Sequence, residues 1–93
     1  MIRNFADDET ALVWAGRRSR KLPADIQAVA LRKLRMLNQA RNANDLRVPP
    51  GNRFESLEGD RLGQYSIRIN DQWRICFAWR EGGAENVEIC DYH

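Results

Sequence analysis

The sequence predicts one α+β domain, two N-terminal helices packed on one face of a mostly antiparallel β-sheet, and three observations predict it. Apolar residues recur at helical spacing as far as Leu37. After Val48-Pro49-Pro50-Gly51-Asn52 the spacing changes to strict alternation. The alternating segments are separated by short turn-forming stretches, which join antiparallel neighbours rather than parallel ones. A chain of 93 residues leaves no room for a second core, so residues 1–93 are expected to be a single domain.

Each element follows from local chemistry. Ile2 to Phe5 alternates and suits an edge strand. Asp7 can cap a first helix, Asp8 and Glu9 favour its positive end, and Ala11, Leu12, Trp14 and Ala15 carry it to Gly16. Arg17-Arg18-Ser19-Arg20-Lys21 reads as a solvated connector. Pro23 suits the first turn of a second helix whose core stripe is Ile26, Val29, Ala30, Leu34 and Leu37, with Arg32, Lys33, Arg35 and Arg41 on the other side. The prolines and Gly51 then break regular structure. Strands are expected over 53–57, 63–70, 73–80 and about 86–90, with Glu58-Gly59-Asp60 and Glu81-Gly82-Gly83-Ala84 as turns.

Composition narrows the function classes. No stretch approaches the roughly 20 apolar residues of a membrane helix, and the opening residues lack a signal-peptide apolar core, so a cytoplasmic protein with no membrane partner is expected. Cys76 and Cys90 are too few for a disulfide framework and lack zinc-site spacing; they are expected to stay reduced, with no metal and no cofactor. Net charge is only +2, but residues 1–50 hold ten Lys/Arg against five Asp/Glu, whereas residues 51–93 hold five against eight. A basic first half suits a polyanion or an acidic partner, and it equally suits plain solvation.

Register brings chemistry into view. Tyr65, Ile67 and Ile69 share one face of their strand, as do Trp73, Ile75, Phe77 and Trp79 of the next, and these sets must face the helices. The odd loop Asn70-Asp71-Gln72 then sets Arg68 opposite Arg74. Carried into the last hairpin with Trp79 across from Val87, the same rule sets Cys76 across from Cys90 and Arg74 across from Tyr92. Like charges face to face are unfavourable unless an anion lies between them, and a phosphate fits. The alternatives are that both arginines splay out to Glu58, Glu88 or Asp91, or that the register slips by two residues.

The run Gly63-Gln64-Tyr65-Ser66-Ile67-Arg68-Ile69-Asn70, then Trp73-Arg74-Ile75-Cys76-Phe77, then Val87-Glu88-Ile89-Cys90-Asp91-Tyr92-His93, resembles the HigB toxins of the RelE/ParE superfamily across essentially the whole chain. The resemblance implies the toxin of a type II toxin–antitoxin system, a ribosome-dependent mRNA endoribonuclease restrained by a HigA-like helix-turn-helix antitoxin. It also implies that operator DNA is met only through the antitoxin complex. Two alternatives differ in class: a non-nucleolytic ParE-like gyrase poison, against which the terminal tripeptide argues, and an RNA-binding regulatory module.

Metal-free cleavage of RNA needs a base for the 2′-OH proton, donors for the charge gathering on phosphoryl oxygen, and an acid for the leaving 5′-oxygen. Arg74 is the candidate donor, assisted in substrate binding by Arg68, Arg53 and Arg61. His93, the only histidine, could be acid or base; Tyr92 could stack on a base or take the proton; Asp91 could orient His93 or act as base itself. The chain departs from the family pattern by carrying Glu55 and Glu58 where relatives often carry a histidine and a lysine. Glu55 could replace the histidine as proton acceptor, while Glu58 puts negative charge where the resemblance implies a phosphate-binding cation.

Overall fold

The computed structural model describes residues 1–91. Helix α1 (Asp8–Trp14) starts as expected, with the Asp7 carboxylate accepting from the Thr10 amide at 2.7 Å, and the chain leaves it through Gly16 at φ +79°. Helix α2 (Ala24–Gln39) follows Pro23 and buries Ile26, Ala30, Leu34 and Leu37. Strands β1 (Glu55–Ser56), β2 (Gln64–Arg68), β3 (Trp73–Arg80) and β4 (Gly83–Asp91) form one antiparallel sheet in the order β1-β2-β3-β4. Helices and sheet close on a core centred on Phe77, Leu34, Leu37, Ile67, Ile75 and Val87, so the predicted α+β class holds.

The N-terminal segment lies against β4 through two isolated parallel bridges, Ile2 to Ala84 and Phe5 to Val87. Its backbone and the Thr10 hydroxyl, which accepts from the Ile89 amide at 3.0 Å, occupy hydrogen-bonding groups that a bare edge would expose.

Arg68 faces Arg74, as the odd loop requires. The last hairpin is different from expectation. Arg74 pairs with Cys90 and Cys76 with Glu88, not Cys76 with Cys90, Arg74 with Tyr92 or Trp79 with Val87. The cause is local. Glu81 (φ +48°) and Gly82 (φ +78°) make a two-residue turn of the primed kind, which pairs Arg80 with Gly83 and Trp79 with Ala84. Continued unbroken, that register would turn Val87 and Ile89 out to solvent. One extra residue in β4, Asn86 at φ +53°, bulges the strand between Cys76 and Ala78 and returns Val87 and Ile89 to the core.

Two further expectations are corrected. The connector after α1 is not wholly solvated: Ser19 is buried, with its hydroxyl on Glu9 at 2.5 Å and its backbone clasped by the Gln27 amide. Lys33 does not join Arg32, Arg35 and Arg41 in solvent, because it lies one turn from Ala30 and Leu37 and is buried with them. Its ammonium donates to Asn52 of a single 3-10 turn, Pro50–Asn52, which with the turn Ala43–Arg47 links α2 to the sheet.

Candidate active site

On the face of the sheet away from the helices, pairing aligns Glu55, Ser66, Cys76 and Glu88 in one row and Arg68, Arg74 and Cys90 in the next. Leu57, Cys76 and Cys90 make a small apolar floor beneath the polar groups. Arg74 is the best-held cation on this face. Its side chain is 11% exposed; Nε donates to the buried Ser66 hydroxyl at 2.7 Å and Nη2 to the Arg53 carbonyl oxygen at 2.6 Å. Glu55, half-exposed, brings a carboxylate oxygen to 3.6 Å from Nη2. A guanidinium fixed on two sides and facing a loosely held carboxylate can receive an anionic oxygen and leave the carboxylate free to take a proton.

Arg61, in the 3-10 turn Gly59–Arg61, reaches over the same face, with Nη1 on Gln64 Oε1 and Nη2 on Glu88 Oε1, both at 3.0 Å. Burial works against its charge, but the Glu88 hydrogen bond and the neighbouring sulfurs outweigh that, so its pKa is raised and it stays cationic. The Cys90 thiol lies 2.7 Å from the Cys76 sulfur and donates to it. Cys76 is therefore the thiol that ionises first, helped by Arg61 and Arg74, while Cys90 is pushed far up by the same contact and by burial.

The sequence-derived site is thus assembled in part. Arg74, Glu55 and Arg53 meet, the last through its backbone; Arg61 lies over Glu88 in the adjoining row. Arg68 neighbours Arg74 but pairs with Asp71 of its own hairpin loop, and among the described residues no single carboxylate bridges the two cations. Among the described residues the carboxylates that approach them are Asp71 and Glu55, not the Glu58, Glu88 or Asp91 that the pattern offered. Asp91 stands across from Trp73, on the side of β4 opposite to Cys90, and accepts from the Gln72 amide at 3.0 Å. Tyr92 and His93 lie outside the described residues. Sequence reasoning missed Ser66 as the anchor of Arg74, although its place on the Arg68 face was legible.

Among the described residues no group of three or more metal-ligating side chains occurs, and no helix is long and apolar enough to cross a membrane. A cleft of about 450 Å³ between the end of α1 and α2, lined by Val13, Gly16, Arg17, Arg18, Gln27 and Leu31, contains none of the site residues.

Residues 3–93 match the family described as the RelE-like toxin of the type II toxin–antitoxin system HigB. Toxin HigB-1 of Vibrio cholerae serotype O1 is 49% identical over 73 residues, which cover 78% of this chain and 77% of that protein. An uncharacterised protein of Haemophilus influenzae is 38% identical over 69 residues, 74% of this chain and 68% of its own length. The sheet-and-helix architecture, the match over nearly the full length and this level of identity agree: the chain belongs to the HigB-like family of RelE-like toxins and is the toxin member of a type II toxin–antitoxin pair.

Proposed function

We propose that this toxin is a ribosome-dependent mRNA endoribonuclease that works without a metal, with Arg74 as the phosphate-binding cation. One observation carries the reading: a nearly buried guanidinium, locked by Ser66 and the Arg53 carbonyl, stands beside the accessible Glu55 carboxylate. The carboxylate of the Arg74–Glu55 pair is half-exposed and 3.6 Å from Nη2, so solvent screens it and the pair contributes on the order of 1 kcal/mol, which lets an RNA phosphate displace the carboxylate at little cost. Glu55 then takes the 2′-OH proton as the 2′-oxygen attacks phosphorus. The bond to the 5′-oxygen breaks, a proton donor from the Asp91-Tyr92-His93 tail protonates that oxygen, and the products are a 2′,3′-cyclic phosphate and a free 5′-OH. Arg74 stabilises the charge on the phosphoryl oxygens throughout, while Arg53, Arg61 and Arg68 bind neighbouring phosphates. The partners of this reading are the ribosome with its message and a HigA-like helix-turn-helix antitoxin, in the cytoplasm, with operator DNA reached through the antitoxin.

Brief expression followed by mapping of mRNA ends tests it. New cuts within translated frames that disappear with Arg74→Ala are the expected result. Intact mRNA with gyrase-linked DNA breaks would replace this reading with a topoisomerase poison, and neither effect would leave an RNA-binding module.

A further inference from the structure

The mechanism leaves one buried charge unused. Lys33 is 6% exposed and no carboxylate among the described residues pairs with it. Burial, and then the positive charges of Arg32 and Arg68, push its pKa down. A methionine or leucine would fill such a site without that penalty, so the ammonium is best understood through what it holds.

It holds Asn52, which is fully buried. With Oδ1 occupied by the ammonium, the Asn52 side-chain amide is committed to donation, reaching Leu46 O at 3.1 Å, Met36 Sδ at 3.1 Å and Val48 O at 3.5 Å. The Asn52 and Arg53 amides close the same turn onto Pro49 O and Pro50 O, each at 3.0 Å. The next residue, Arg53, is left-handed at φ +45°, a conformation that crowds the Cβ of a non-glycine residue against its own carbonyl. Its carbonyl is the one that receives Arg74 Nη2 at 2.6 Å. A continuous path of contacts therefore runs from α2 through Asn52 to the strained peptide that orients the guanidinium.

Building on the nuclease reading, we propose that Lys33 is a positioning residue: its buried ammonium clamps Asn52 and so sets the left-handed turn whose carbonyl aims Arg74 at the scissile phosphate. Lys33 touches no substrate in this scheme. It acts at one remove, through backbone.

The test uses Lys33→Met, which keeps the stem and removes the charge, and Asn52→Ala, each followed by the Arg74 Nε–H resonance. Wild-type protein should show this proton slowly exchanging, with Lys33→Met shifting it and raising its exchange about tenfold or more. Cleavage by the same variant should lose about 10²-fold in kcat with KM within a few-fold, because the fault is misplacement rather than lost contact. A folded Lys33→Met protein with an unchanged Arg74 resonance overturns the proposal. Should both variants fail to fold, native-state exchange of the wild type decides: the Asn52 side-chain amide and the Arg74 Nε–H must open with the same denaturant dependence, and unequal dependences overturn it. The resonance reads geometry alone, so a shifted Arg74 signal in a protein that cuts no RNA would keep the clamp and sink the nuclease reading instead.

Discussion

Replacing Glu55 by Gln separates chemistry from scaffolding at this site. The substitution preserves shape and removes one charge from a side chain that is 49% exposed and lies 3.6 Å from Arg74. Arg74 keeps its Ser66 and Arg53 hydrogen bonds, so the stability at stake is that of one screened ion pair, about 0–1 kcal/mol. In a domain of this size 1 kcal/mol moves the melting temperature by about 4–8 °C, which bounds the shift. If Glu55 is the proton acceptor, the cleavage rate falls far more, by about 10²–10⁴-fold. The assay is single-turnover cleavage of message on programmed ribosomes beside a thermal melt of the same preparation. A rate within about threefold of wild type with an intact fold would show that the base lies elsewhere. A melting shift well beyond about 10 °C would show that Glu55 anchors β1, contrary to its exposure.

Three further outcomes follow from other parts of the molecule. Asn86→Val forces a β-branched residue into the left-handed bulge at φ +53° and should destabilise by about 1–2 kcal/mol in urea unfolding; an unchanged midpoint would mean that the bulge is not what fixes the register of β4. Because the folded state holds Lys33 below its ordinary 10.5, the unfolded chain binds more protons between those two values, so the Lys33 contribution to stability rises with pH across that window. The unfolding free energy of wild type relative to Lys33→Met should therefore improve towards alkaline pH, and a flat difference would contradict the burial of a charged amine. Cys76 and Cys90 should both be alkylated after acid-quenched lysis and unfolding, as free thiols are; a bonded pair in freshly lysed cells would refute this.

What the sequence could disclose depended on how local the cause was. Which residues face the helices was legible in β2 and β3, since alternation is set by burial and tolerates no odd slip. The same rule, applied to β4, required Val87 and Ile89 inside but could not say how, because a primed Glu81-Gly82 turn and a bulge at Asn86 achieve the same facing as a wider loop without one. Lys33 shows the opposite failure. Ile26, Ala30, Lys33 and Leu37 follow four-, three- and four-residue steps along one stripe of α2, so its burial was written in the spacing and hidden by its charge. The Arg68 and Arg74 pairing could be derived from a three-residue loop, whereas the setting of Arg74 depends on β1, which joins the sheet through only Glu55 and Ser66, Ser56 and Tyr65. A strand that short cannot hold its own heading against the backbone entropy of the loop before it. Its position must come from the segment that delivers it, and that segment is fixed to α2 through a contact between residues 19 apart. The site is therefore legible in kind from the strands and in geometry only from the helix, because the side chains proposed to do chemistry and the side chain proposed to aim them come from different layers of the fold.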